Sequence, residues 1–239
     1  MTATDVSGIE GTGSAFTLDG FLEMRSRTRS AVHLIAEQIT PGMSEEQAKE
    51  LARATLKDME MRRGWHHIIV RCGSNTTKDF MERSEPGVIL GDSDIFFVDI
   101  GPVYGDLEGD AGDTFVLGDD SDHLRARDDV RRIWEVVRAR WLADGATGSE
   151  LYQFATETAE SLGWRLNMDL SGHRLSEYPH AAHYDGPLAD VEFAPGPGLW
   201  VLEIAIAHSD GHFGAFYEDL LLEDQSFPPG TFLGSSAPD

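Results

Sequence analysis

Four acidic residues stand in strand-like, otherwise apolar stretches of the chain. Asp99 lies within Ile95–Gly101 and Glu203 within Leu199–Ile204. Asp110 and Glu218 follow them across turn signals at Gly105–Gly109 and Asp210–Gly211. Burying a carboxylate in such surroundings requires compensation. Each turn brings two carboxylates together, and like charges that close demand a cation. His173, after Gly172 in a short loop, offers an imidazole nitrogen to the same set. Four carboxylates and one imidazole form an oxygen-rich donor set. Such a set suits Mn²⁺, Fe²⁺ or Co²⁺, admits Zn²⁺ and excludes a thiolate-preferring metal.

The surrounding pattern supplies elements able to hold these groups. Gly and Pro are absent between Phe21 and Thr40, so a helix is predicted over Leu18–Ile39, broken by Pro41-Gly42. Ser44 with Gln47 is a capping-box pattern opening a second helix, whose face is Ala48, Leu51, Ala52, Thr55, Leu56 and Met59 and which ends by Gly64. Strands follow over Trp65–Cys72, Ser93–Gly101 and Asp113–Leu117. The order then repeats: helices over Asp122–Leu142 and Gly148–Leu162, then strands near Trp164, Leu199–Ala207 and Phe213–Leu222. No residue repeat accompanies this, so the duplication is of architecture alone. The expected class is α+β, with two helix-helix-strand halves.

Composition bounds the function. In 239 residues, Lys+Arg 19 against Asp+Glu 42 gives −23, a balance that repels phosphate backbones and anionic lipid. Nucleic-acid and membrane partners are therefore not expected. Cys72 is the single cysteine, which permits no internal disulfide and no Cys-based zinc site, and it reads as a small core residue. Residues 1–14 are Gly/Ser/Thr-rich without the features of a signal peptide and read as a flexible arm, with a single domain over 15–239. The apolar window Leu199–Ala207 is too short to cross a bilayer and contains Glu203. A cytoplasmic address is the expectation.

At these residues the sequence resembles the pita-bread metallopeptidases, comprising methionine aminopeptidases, Xaa-Pro aminopeptidases and prolidases. The resemblance rests on Asp99-Ile100-Gly101 leading to Asp110 and Thr114-Phe115, on Gly172-His173 with His180 seven residues on, on Pro195–Glu203, and on Tyr217-Glu218-Asp219-Leu220-Leu221-Leu222. Five ligand residues recur in the family's order and spacing. The resemblance implies a pita-bread fold, two pseudo-symmetric halves around a curved antiparallel sheet. It implies two divalent ions: Asp99 on one, His173 and Glu203 on the other, Asp110 and Glu218 bridging. It further implies attack by a metal-activated water on a carbonyl, with Glu203 handling the proton and His180 contacting the substrate carbonyl or oxyanion. The implied substrate is a small peptide or amide, and a homodimer is expected by family analogy.

Departures accompany the matches. The family has a histidine where this chain has Phe80; Asp113 replaces an Arg, Arg174 a Gly and Ile204 a Pro. A kept metal site beside a remodelled peptide site leaves two alternatives: a non-peptidase reaction on the same metals, as a lyase or in iron-dependent oxidation, or a catalytically silent peptide-binding module. Phe80 is the expected substrate contact; His67 and His208 are further candidates, with an ordinary solvated turn residue as the plainer reading of His208. His66 and His67 read foremost as half-buried strand residues, His183 as loop surface, and the arginines from Arg125 to Arg140 as a solvated helix face.

Overall fold

A computed structural model describes residues 8–61, 63–180 and 184–223. The first helix, α1 (Leu18–Ala36), opens at Thr17, whose hydroxyl accepts from the Gly20 amide. It closes three residues before Ile39, where the last amides bond back only three residues. Helix α2 (Glu45–Asp58) starts on the Ser44–Gln47 capping box that the sequence shows. In the second half, α3 (Ser121–Asp144) is capped by Asp120, and α4 (Gly148–Ser161) by a Thr147–Glu150 capping box. No described helix is long and apolar enough to cross a membrane.

Among the described residues ten strands complete the fold: β1 (Arg63–Gly64), β2 (Ile69–Cys72), β3 (Asp94–Ile100), β4 (Pro102–Tyr104), β5 (Leu107–Glu108), β6 (Ala111–Leu117), β7 (Arg165–Leu166), β8 (His173–Arg174), β9 (Trp200–Ala207) and β10 (Gly214–Leu220). The main sheet runs β2-β3-β6-β10-β9-β7, with β8 also on β9, and its pairings are antiparallel. Each half contributes one side of the sheet, so the seam falls between β6 and β10. There Glu218 pairs with Gly112, and Thr114 Oγ1 donates to the Phe216 carbonyl and accepts from its amide, both at 2.8 Å.

The sheet separates packing from chemistry by residue parity. Phe96, Val98 and Ile100 turn outward onto Ala31, Val32, Ile35 and Ala52 of α1 and α2. Leu202, Ile204 and Ile206 do the same against Val130, Ile133, Val137 and Leu151 of α3 and α4. Asp219, next to Glu218, also points outward: fully buried, it accepts from Arg25 at 2.6 and 2.7 Å and from Arg29 at 3.1 Å. Asp113 joins this network through Arg29 at 3.9 Å and pairs on its other oxygen with Arg131 at 2.8 Å. Arg131, and Arg138 on the Leu222 carbonyl, therefore depart from the expected solvated face, because buried acceptors lie under that side of α3.

The described part of the expected arm, residues 8–14, is hydrogen-bonded to the body. Glu10 accepts from the Gly196 amide and the Trp200 indole, and the Gly11 carbonyl accepts from Arg174. Residues 1–7, the loop position His183 and the end of the chain after Glu223 lie outside the described residues.

Candidate metal centre

The register aligns the carboxylates. Asp99 on β3 faces Gly112 on β6, Gly112 faces Glu218 on β10, and Glu218 faces Glu203 on β9. This row lies on the inner face of the sheet, with Asp110 at the mouth of β6, two residues from Gly112 and so on the same side. Phe97, Phe216 and Ala205, each two residues from a carboxylate on its strand, form an apolar floor beside the row. His173 closes the set from β8, its Nε2 2.9 Å from Asp110 Oδ2. Asp110, His173 and Glu218 offer donor atoms within 4.8 Å of one another, as do His66, Asp99 and Asp110.

Positioning is exact to the backbone. The Gly172 amide donates to Glu203 Oε2 at 2.8 Å. Gly172 has φ +73°, and a side chain there would meet the Val201 carbonyl at 2.6 Å and the Tyr152 hydroxyl at 2.8 Å. Glycine thus lets the His173 loop close onto β9. Tyr152, buried in α4, donates to the Glu203 carbonyl at 2.8 Å and accepts from its amide at 3.1 Å.

Charge is poorly balanced within this set. Burial pushes Asp99 up to about 7, with Asp110 and Glu203 adding to the rise against the pull of His66. Burial also raises Glu203 and carries Glu218 well above the carboxylate range, helped by the charges of Asp110 and Asp99. Asp110 goes the other way, to about 2: burial would raise it, but hydrogen bonds from His173 and His66 outweigh burial. Burial would lower His173, yet Asp110 and Glu203 lift it to about 9. Asp99 Oδ1 and Glu218 Oε1 are buried without a hydrogen-bond partner. Buried carboxyl oxygens with no hydrogen-bond partner, beside an imidazole, fit a divalent cation that would displace the protons burial favours and be coordinated by those oxygens.

The centre opens into a cavity of about 410 Å³ whose walls include Trp65, Phe80, Leu170 and His180, a size suited to a small ligand. His180 Nδ1 lies 2.9 Å from Oε2 of the fully buried Glu108, whose Oε1 accepts from the His180 amide. Trp65 stacks flat on the imidazole, centroids 4.9 Å apart. A larger cleft of about 890 Å³, lined by Arg53, Lys57 and Arg63, lies on the far side of His66 and lacks the carboxylate row.

The structure thus gathers Asp99, Asp110, His173, Glu203 and Glu218, with His180 and Phe80 on the wall of the same cavity. It does not bring in His67 or His208. His208 lies five residues beyond Glu203, on the opposite parity, and stacks on Phe213 near Trp164. His67 stacks on Phe80, whereas His66 enters the cavity. The expected strand over Trp65–Cys72 begins only at Ile69, and a bend at Trp65-His66 breaks the alternation, so strand parity does not carry back to the two histidines. Glu108 and Tyr152 also escape a sequence reading. Glu108 sits in a two-residue strand, and Tyr152 lies on an ordinary helix face.

A model of metallopeptidase family M24 matches residues 21–223. Methionine aminopeptidase 2 of Mycobacterium tuberculosis is 23% identical over 184 residues, which cover 73% of this chain and 65% of that protein. The chain therefore spans just under two thirds of this curated relative. Among solved structures, a methionine aminopeptidase from Thermotoga maritima superposes with a TM-score of 0.69 at 18% identity, covering 89% of this chain and 95% of the other. A dipeptidase from Pyrococcus horikoshii superposes at 0.72 with 19% identity, covering 90% and 59%. The fold shared with these structures is the pita-bread fold.

Proposed function

The chain belongs to metallopeptidase family M24, and from that premise we propose that it is a metal-dependent hydrolase cleaving an amide or peptide C–N bond of a small substrate. One observation carries the reading: a row of buried carboxyl groups, Asp99, Glu218 and Glu203, converges with Asp110 and His173 and leaves oxygens of Asp99 and Glu218 without a hydrogen-bond partner. These five residues would hold two divalent ions, with Mn²⁺, Fe²⁺ or Co²⁺ preferred and Zn²⁺ admissible. When bound, such ions supply Lewis acidity toward a carbonyl oxygen and acidify water.

The protein's own groups have separable tasks in this reading. Glu203, raised by burial and fixed through Gly172 and Tyr152, holds and passes the proton. His180 is oriented by Glu108 through Nδ1, which leaves Nε2 for the substrate carbonyl or the oxyanion. Phe80 and Leu170 give the substrate an apolar wall and exclude water. A small peptide or amide substrate, a cytoplasmic address and a homodimeric assembly complete this reading by family analogy.

Phe80 stands where the resemblance places a histidine, and this favours one second reading, a non-peptidase reaction on the same metals. Peptide panels decide between them. Metal-loaded protein is incubated with tripeptides led by Met or Xaa-Pro, free or N-acetylated, and products are read by mass spectrometry. Release of the first residue, abolished in Asp110→Ala, is expected. Failure on every peptide by a protein that binds metal supports the second reading.

A further inference from the structure

His66 reaches the centre from outside the five-residue set. Its side chain is 9% exposed, and its Nε2 lies 3.2 Å from Asp110 Oδ1 and 3.6 Å from Asp99 Oδ1. Its Nδ1 lies 2.7 Å from the carbonyl oxygen of His67. His173 is built the same way, with Nε2 2.9 Å from Asp110 Oδ2 and Nδ1 3.2 Å from the carbonyl of Arg174. A carbonyl only accepts, so in both rings Nδ1 carries a proton; Nε2–H donates to Asp110 in the metal-free fold, and a cation taking the place of that one proton would meet the Nε2 lone pair and the carboxylate oxygens together. A metal-binding histidine is oriented in this manner, by a backbone carbonyl on its other nitrogen. The two imidazoles flank Asp110, one at each oxygen.

Two further observations converge on the same place. Gly101 makes room for the ring: a Cβ there would sit 1.9 Å from His66 Cδ2 and 2.2 Å from Nε2. Asp99 Oδ1, the oxygen that His66 faces, is buried with no hydrogen-bond partner, in a residue 8% exposed.

We propose that His66 is a sixth metal ligand, joining Asp99 and Asp110 at the position that the resemblance furnishes with oxygen donors alone. Each of two ions then has one imidazole, His66 on one and His173 on the other. An added nitrogen donor strengthens binding of Co²⁺ and Zn²⁺ more than of Mn²⁺. The inference rests on the metal-centre reading above.

The test uses cobalt as probe, with titration calorimetry for stoichiometry and proton NMR of the Co²⁺-loaded protein. Wild type is expected to bind two equivalents and to show two paramagnetically shifted, solvent-exchangeable imidazole N–H resonances. His66→Gln is expected to show one resonance and to weaken one of the two binding steps by roughly 10- to 100-fold or more, leaving the other intact. Gly101→Ala, which displaces the ring, is expected to act alike. If two equivalents bind to wild type but a single such resonance appears, or if His66→Gln keeps both affinities, the assignment of His66 is overturned while the centre stands. If wild type binds no cobalt, the centre itself fails, and the inference with it. Should His66→Gln not fold by circular dichroism, the wild-type resonance count decides alone.

Discussion

Stripping the metal is expected to make this protein less stable as pH rises, the reverse of ordinary acid denaturation. In the metal-free fold Asp99 is raised from 3.8 to about 7, so folding favours its protonated form. That contribution is fully present below about 3.8 and is lost as pH climbs through 7. His66 and His173, raised from 6.5 to about 9, act in the same direction, present below about 6.5 and lost as pH rises through 9. Glu203 and Glu218, raised by burial, share the sign. Asp110, lowered to about 2, has the opposite sign but acts only below about pH 4. One extra proton held by the folded state gives a slope of about 1.4 kcal/mol per pH unit, or about 3–6 °C in Tm per unit for a chain of this size. Scanning calorimetry in chelator from pH 5 to 9 should show Tm falling, and saturating Mn²⁺ should reverse the trend, because metal competes with the protons. Self-repulsion in a chain of net charge −23 also lowers Tm with pH. Asp99→Asn removes the titration with little change in net charge, and its slope between pH 5 and 7 should flatten by about one proton's worth. A metal-free Tm that is flat or rising, or an Asp99→Asn slope equal to wild type, refutes the reasoning.

Three further outcomes follow from the packing around the centre. Tyr152→Phe removes the hydroxyl that bonds both backbone groups of Glu203, and urea denaturation should show a loss of about 1–3 kcal/mol together with reduced peptide turnover. Glu108→Gln should lower turnover roughly tenfold or more while leaving metal content unchanged, because it frees His180 and touches no proposed ligand. Arg25→Met leaves the buried Asp219 short of its bidentate partner and should cost about 3–5 kcal/mol in urea, with metal content per folded chain unaltered.

Asp99 and Glu203 were legible because each breaks a pattern that packing would otherwise enforce, and the other proposed ligands because they follow at turns and in the resembled order. A carboxylate inside Ile95–Gly101 or Leu199–Ile204 has no place in an apolar strand unless something binds it. The Ser44–Gln47 capping box made one helix start equally plain, whereas the Thr147–Glu150 box emerges only from the structure. What stayed hidden depends on register and on bends. Glu218 and Asp219 are adjacent acids, yet one faces the centre and the other the Arg25–Arg29 network, and only the pairing of β10 with β9 and β6 tells them apart. Between His66 and His67 the bend at Trp65-His66 decides, and periodicity carries no trace of it. Glu108 meets His180 across 72 residues of sequence, a contact that local pattern does not encode.

Metal content tests the central claim most directly. Protein purified without added metal or chelator is assayed by elemental analysis beside Asp110→Ala, the residue whose two oxygens face both histidines. About two equivalents of Mn, Fe, Co or Zn per chain in wild type, lost in the variant, is the predicted result. No transition metal in wild type, even after reconstitution, would contradict the account.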